Sequence, residues 1–300
     1  MKNLSNGKTK IANTLGRQKL LLDVTYTPES LLRHPRQLFR QMWYDLLASR
    51  ELAWRLMVRD ISAKYRQSVL GIAWAFIPPI AMAVGFTLAS EANIVNVGKT
   101  DFPYPAYVMF STALWQTFVE SLNGPVEAVI KAKPMLARVK FPREAVILAK
   151  VGEVFFNFMI KLVLIIGLFI WYRISVGWTL IIAPVALIHL IMLGTLVGTL
   201  LSPLGVLYQD VQKGLTMVTG FWLFLTPVVY SVPESGLFGF FVQLNPVTPL
   251  LVTTRELATT GVISEPVSFW VVSILTWIGL LLTWIAFRIA LPYVIERVSS

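Results

Sequence analysis

The sequence predicts an all-α integral membrane protein with six transmembrane helices, on three observations. Long uncharged apolar runs recur along the 300 residues: Gly71–Ser90, Phe102–Val119, Ile174–Gln209, Gly214–Pro233 and Pro266–Phe287, with Val154–Tyr172 broken by Lys161 alone. A bilayer core about 30 Å thick takes roughly 20 apolar residues in a helix. At that depth only helices or a closed barrel satisfy the backbone. The chain is 56% hydrophobic and 14% charged, whereas a soluble domain carries about 25% charged residues. The charge is also one-sided. Of 26 Lys and Arg, residues 1–66 hold 13, residues 127–150 hold six, and Lys213, Arg288 and Arg297 join them. Only Lys99, Arg173 and Arg255 fall on the other side.

That asymmetry is the positive-inside pattern. It places both termini, the 127–150 loop and the 202–213 turn in the cytoplasm, in agreement with an even number of spans. The net charge of +10 is then an orientation signal with lipid-headgroup contact, not a sign of nucleic acid. There is no cysteine, and His34 and His189 are the only histidines. Disulfides, thiolate chemistry and a Cys- or His-rich metal site are thereby excluded, and no metal ligand or catalytic residue is expected. Asn6-Gly7-Lys8-Thr9 ends like a phosphate-binding loop, but Lys2 stands where that loop needs glycine. Nucleotide binding is not expected there.

The elements follow in order. Residues 1–30, polar and basic with no apolar core, read as a disordered cytoplasmic tail without a signal peptide. Residues 31–68 hold an amphipathic helix: Phe39, Met42, Trp43, Leu46, Trp54, Met57 and Ile61 recur at spacings of three or four, opposite Arg40, Arg50, Arg55 and Arg59. Trp and Arg on opposite faces suit a helix lying in the headgroup layer. Six spans at about 69–91, 104–124, 145–171, 178–201, 215–231 and 267–288 make up the membrane region 69–293. Pro78-Pro79 at the centre of the first predicts a kink. The second opens at Pro103-Tyr104-Pro105 and is expected to end near Asn123-Gly124-Pro125. Gly194 and Gly198 in the fourth form a small-xxx-small pair for close helix packing. Between spans five and six, 232–265 carries two amphipathic pieces split by Asn245-Pro246, each too short to span. Short outer or re-entrant gate helices fit it.

An ordered set of local segments carries a family resemblance. Arg59-Asp60-Ile61, Tyr65-Arg66-Gln67-Ser68, Leu70-Gly71, Trp74 and Pro78 lead into the first span, and Phe141-Pro142-Arg143-Glu144 precedes the third. Tyr208-Gln209-Asp210-Val211 precedes the fifth, with Gln209 where an Arg is common. Thr226-Pro227, Tyr230, Asn245-Pro246 and Arg255 follow. Across about residues 35–293 this set resembles the membrane subunit of ATP-binding-cassette exporters for polysaccharides, the O-antigen, capsule and teichoic acid permeases. The resemblance implies a homodimer in the bacterial cytoplasmic membrane with two copies of a separate ATPase subunit beneath it. ATP and Mg would be bound by that partner, and this chain would carry no cofactor. It further implies a channel at the dimer interface, a lipid-linked glycan as substrate, and a gate built from the 231–265 segment with Asn245, Pro246 and Arg255.

Sugars are polar with apolar faces, so a path for them wants aromatic platforms and few fixed charges. Trp74, Tyr107, Phe110, Trp115, Phe118, Trp222 and Tyr230 are candidates, with Glu120 at the inner mouth. In the 127–145 loop, Met135, Leu136 and Phe141 stand as apolar knobs beside Arg138, Arg143 and Glu144. A short helix bounded by Pro134 and Pro142 suits docking into a groove of the ATPase, with Asp60 and Arg66 adding contacts. Lys161 calls for a carboxylate partner from another helix that the sequence does not name, and His189 reads as hydrogen-bonded packing rather than a proton relay. Two alternatives stay open: the same scaffold exporting drugs or lipids, and a membrane-embedded glycan-modifying enzyme.

Overall fold

The computed structural model describes residues 35–66, 71–95, 97–139, 141–233 and 235–299. The basic tail with Gly7-Lys8-Thr9, His34, and the motif residues Gln67, Ser68 and Leu70 lie outside the described residues. Two compact units are distinguished, Met1–Trp43 and Tyr44–Ser300. The described part of the first is the opening of helix α1 (Pro35–Arg66), where Phe39 and Trp43 are exposed.

In the second unit the rest of α1 turns Ala53 and Leu56 inward and leaves Trp54 and Val58 exposed. The expected apolar face includes Trp54, which the structure leaves exposed, while the inward pair Ala53 and Leu56 lies outside the pattern read from the sequence. A short 3-10 turn, Gly71–Ala75, leads into α2 (Ile77–Glu91). Pro78 and Pro79 therefore sit in the first turn of α2, where a missing N–H has no intrahelical partner to lose. The expected mid-span kink is replaced by a helix start. α3 (Tyr104–Arg138) runs for 35 residues and continues through both Pro125 and Pro134. Its expected end near Asn123-Gly124-Pro125 is thus 14 residues short. Interior proline costs about 3 kcal/mol, but the turns beyond it bury Val126 and Val129 completely, and that packing carries the helix on.

α4 (Glu144–Trp171), α5 (Ala183–Leu207) and α9 (Pro266–Ser299) are long and apolar enough to cross a bilayer. α6 (Asp210–Trp222) has 13 residues and passes into a 3-10 turn, Leu223–Leu225. α7 (Gly236–Leu244) and α8 (Val247–Ala258) meet at 84°, the shape of a broken span or a re-entrant loop. The helices that qualify as spans by length and composition number three, or four with that pair. Among the described residues every regular element is helical.

α3 is the hub. It packs most extensively on α5, then on α4, with α2 alongside. The α3–α5 seam is set by glycine: a Cβ on Gly194 would lie 2.8 Å from the Phe118 carbonyl oxygen, and one on Gly198 would strike the Leu122 carbonyl. Small residues let the two backbones meet, as the spacing of Gly194 and Gly198 suggests. A second core joins α1, α3, α4 and α9 through Leu56, Val129, Ala145, Ala149, Phe287 and Leu291.

Candidate functional site

The charged groups that the sequence leaves without partners are paired in two clusters. In the first, Lys161 of α4, 2% exposed, donates to Glu120 Oε1 of α3 at 2.7 Å. Asn157, one turn earlier on α4, donates to Glu120 Oε2 at 2.8 Å and accepts from the Tyr65 hydroxyl of α1 at 3.1 Å. A turn further on, Glu153 receives Lys150 at 2.8 Å and Lys64 at 3.5 Å. Three helices are thereby tied at one depth. A buried charge left without its partner is strongly destabilising, and the Lys161–Glu120 pair removes that cost. Burial, then the charges of Glu120 and Glu153, push the Tyr65 phenol above its ordinary value. Asn157 and Lys161 are four residues apart on one helical face; that spacing is a sequence signal for the α4 side of the network, though not for its partner on α3.

The second cluster holds Glu144. Trp284 Nε1 and Arg288 Nη1 of α9 donate to its Oε1 at 3.2 and 3.4 Å, and Arg288 also pairs with Asp45 of α1. Glu144 is buried within the chain, so it is not offered outward as a docking carboxylate. Met135 and Leu136 pack half-buried beside it against the α1–α4–α9 core, as does Phe141. Arg138 and Arg66 are exposed, Arg143 is half-buried, and Asp60 pairs with its neighbour Arg59 at 2.8 Å. The expected separate short helix is instead the C-terminal end of α3 followed by the turn before α4.

At the opposite end of the bundle, Arg255 of α8 is buried against α3. Its guanidinium lies 4.1 Å from the centroid of the Tyr107 ring and donates to Ser111 Oγ at 3.0 Å and to the Pro227 carbonyl at 3.2 Å. The Tyr107 hydroxyl donates to the Tyr230 carbonyl, and that of Tyr104 to the Val229 carbonyl, each at 2.8 Å. Asn245 fixes the α7–α8 bend. Its Nδ2 donates to the Leu225 carbonyl at 3.1 Å and to Thr226 Oγ1 at 2.8 Å. Its Oδ1 accepts from Trp222 Nε1 at 2.9 Å and from the Val247 N–H at 3.0 Å. Pro246 is exposed at the bend.

The aromatic candidates separate by position. Tyr107, Phe110, Trp115 and Phe118 do share a face of α3, but that face is covered: Phe110 meets Phe169 of α4 edge-on at 5.7 Å, and Phe118 meets Trp222 at 5.4 Å. With exposures of 1% and 0%, Tyr107 and Phe118 present no ring face on the surface of the chain. Periodicity identifies a shared face; it does not say whether a neighbouring helix occupies it. Trp74 is exposed, and Trp222 and Tyr230 are half-buried. The Glu120 side chain is 31% exposed.

His189 on α5 has both ring nitrogens committed. Nδ1 lies 2.7 Å from the Val185 carbonyl, and Nε2 accepts from Trp277 Nε1 at 3.2 Å. A carbonyl needs a donor and an indole N–H needs an acceptor, which assigns the neutral Nδ1–H tautomer. Among the described residues no cluster of three His, Asp or Glu could hold a metal ion.

The profile of the ABC-2 type transporter family matches residues 51–257. The chain belongs to that family. Similar proteins include an O-antigen export system permease protein RfbA of Myxococcus xanthus, 24% identical over 220 residues, covering 71% of this chain and 82% of that protein. A protein of the same name in Klebsiella pneumoniae is 23% identical over 215 residues, covering 69% and 79%. The matched span of this ABC-2 chain contains both ends of the α7–α8 bend, the Lys161 network and Glu144. Membership makes it a membrane component of a transporter and implies pairing with an ATP-binding-cassette subunit.

Proposed function

We propose that this ABC-2 chain is the channel-forming permease half of an ATP-driven exporter that moves a lipid-linked polysaccharide across the bacterial cytoplasmic membrane. The observation that carries the reading is the bent α7–α8 pair, held rigidly by Asn245 and Arg255 beside a half-buried aromatic strip. In that strip Tyr230 meets Phe238 with ring centroids 5.5 Å apart, and Trp222 is anchored through its N–H. Ring faces held at fixed spacing suit sugars passing one after another, and the bend supplies a gate at that end. Relatives named for O-antigen export agree with a glycan cargo.

In this reading six segments cross the bilayer, α2 to α6 and α9, with α6 completed by the turn after it and both termini cytoplasmic. Two copies form the channel at their interface, and two ATPase copies bind ATP and Mg below. Trp74, Trp222 and Tyr230 face the path, with Glu120 at its inner mouth. Tyr107, Phe110, Trp115 and Phe118 form the wall behind it. Asn245, Pro246 and Arg255 shape the gate. Arg138, Phe141, Arg143, Met135 and Leu136, with Asp60 and Arg66, form the ATPase-facing surface, which Glu144 braces from within. The chain does no chemistry itself; it converts partner closure into opening of a passage.

The test is co-purification from native membranes through a C-terminal tag, followed by deletion of the gene and analysis of surface glycan. A stoichiometric ATPase partner together with loss of surface glycan is the expected result. A partner without glycan loss would transfer the reading to a drug or lipid cargo. A chain recovered alone, in full yield, would overturn it.

A further inference from the structure

α4 and α5 are consecutive, yet they do not close on each other from Phe155 to the C-terminal end of α4. An apolar cleft of about 610 Å³ opens between them, walled by Phe158, Leu162, Ile166 and Phe169 of α4 and by Ala183 and Leu187 of α5. Its size falls in the range of about 300–1,000 Å³ typical of ligand sites. From Phe155 to Ile170, both in the wall, the cleft follows α4 for about 22 Å at 1.5 Å per residue. That exceeds half of a ~30 Å hydrocarbon core, so a full acyl chain fits along it.

The lining has two polar residues, Thr254 and Arg173. The Thr254 hydroxyl is already used, donating to the Leu250 carbonyl at 2.6 Å. Arg173 is different. It ends α4 in the left-handed conformation, φ +52°, and the turn is pinned by its own N–H on the Ile170 carbonyl and by the Ile174 N–H on the Phe169 carbonyl. A bulky residue at positive φ is uncommon, and here it stands at the mouth of the cleft. Among the described residues Arg173 has no ion-pair partner. Trp171 and Trp178 beside it are exposed by 81% and 76%, the pattern of side chains at headgroup level.

We infer that this cleft is a binding site for one anionic glycerophospholipid, its acyl chain between α4 and α5 and its phosphate on Arg173. Charge complementarity selects the occupant. A dry apolar slot excludes a sugar, and a guanidinium at headgroup depth pairs bidentately with a phosphate. The cleft borders α8 through Thr254 and Ala258 and shares Phe110 with the wall, but neither Trp222 nor Tyr230 lines it, and the assignment holds whichever side of the membrane that leaflet faces.

The test uses the full chain, purified in a non-ionic detergent and titrated with phosphatidylglycerol or phosphatidylcholine, with bound lipid counted by native mass spectrometry. The wild type is expected to retain phosphatidylglycerol about five-fold over phosphatidylcholine, the scale of one basic residue at an anionic surface. Arg173→Gln should abolish the preference and Arg173→Lys should keep most of it. Ile166 is 51% exposed, so Ile166→Trp narrows the mouth without touching the core and should lower retention of both lipids. Glycerol 3-phosphate should not compete. Equal retention of the two lipids by the wild type, an unchanged preference in Arg173→Gln, or full retention in Ile166→Trp would each overturn the proposal. Competition by glycerol 3-phosphate would reduce the site to a phosphate contact and overturn the lipid assignment.

Discussion

Replacing Glu120 by Leu leaves the Lys161 ammonium, 2% exposed, without a carboxylate. Breaking a buried ion pair from one side costs about 3–5 kcal/mol. The Glu120 side chain is 31% exposed, so water recovers part of that, and about 2–3 kcal/mol is expected. Lys161→Met strands Glu120 less severely, since Asn157 still donates to it at 2.8 Å; about 1–2 kcal/mol follows. The double variant Glu120→Leu/Lys161→Met removes both charges, an exchange that is often neutral. Its residual defect is the orphaned Asn157 donor, about 1 kcal/mol. The assay is a double-mutant cycle on detergent-solubilised protein, unfolded by increasing SDS and followed by circular dichroism. The expected interaction energy is about 3 kcal/mol, with the double variant more stable than Glu120→Leu alone. Single variants that add within about 0.3–0.5 kcal/mol would refute the idea that this pair ties α3 to α4.

Three further outcomes follow from other contacts. Asn245→Ala removes four hydrogen bonds around the α7–α8 bend. At about 1 kcal/mol each, less relaxation, it should raise hydrogen exchange across 225–247 while leaving α4 unchanged. Gly198→Ala forces a methyl against the Leu122 carbonyl, whereas Gly167 has open space around it. The first should destabilise by about 1–3 kcal/mol, and Gly167→Ala should be neutral or slightly stabilising in the same SDS unfolding. Tyr65 has its folded-state pKa raised, so its contribution is fully present below the unfolded value of about 10 and is lost as pH rises through the folded one. Stability should be flat in pH from 7 to 9 as far as Tyr65 is concerned. Ultraviolet titration should show one fewer late-ionising phenol in Tyr65→Phe than in the wild type.

Helix content, the amphipathic character of α1 and the close approach at Gly194 and Gly198 were legible because period and residue size act locally. Proline was a poorer guide. Pro78-Pro79 start a helix instead of kinking one, and Pro125 and Pro134 fail to end α3, because buried neighbours such as Val126 and Val129 override a local penalty. Partners were the least legible. Nothing near Lys161 in sequence points to Glu120, 41 residues away, and Glu144 reads as a surface acid until Trp284 and Arg288, 140 and 144 residues on, close over it. The face shared by Tyr107, Phe110, Trp115 and Phe118 was visible, but what covers it comes from α4 and α6.

The glycines of α5 restrict how this protein can move. Where two backbones touch through missing side chains, a slide of one residue would bring a bulky neighbour against a carbonyl, so α3 and α5 are geared like a pawl on a tooth. A shift along that seam must come as a whole turn of about 5.4 Å, or not at all. Smaller, graded motion is left to elements outside that seam, α2 and α6 on the flank and the α7–α8 pair at the end. A push on one end of the bundle would therefore reach the other by tilting a stiff rod, with the displacement appearing at its two ends and little of it in the middle.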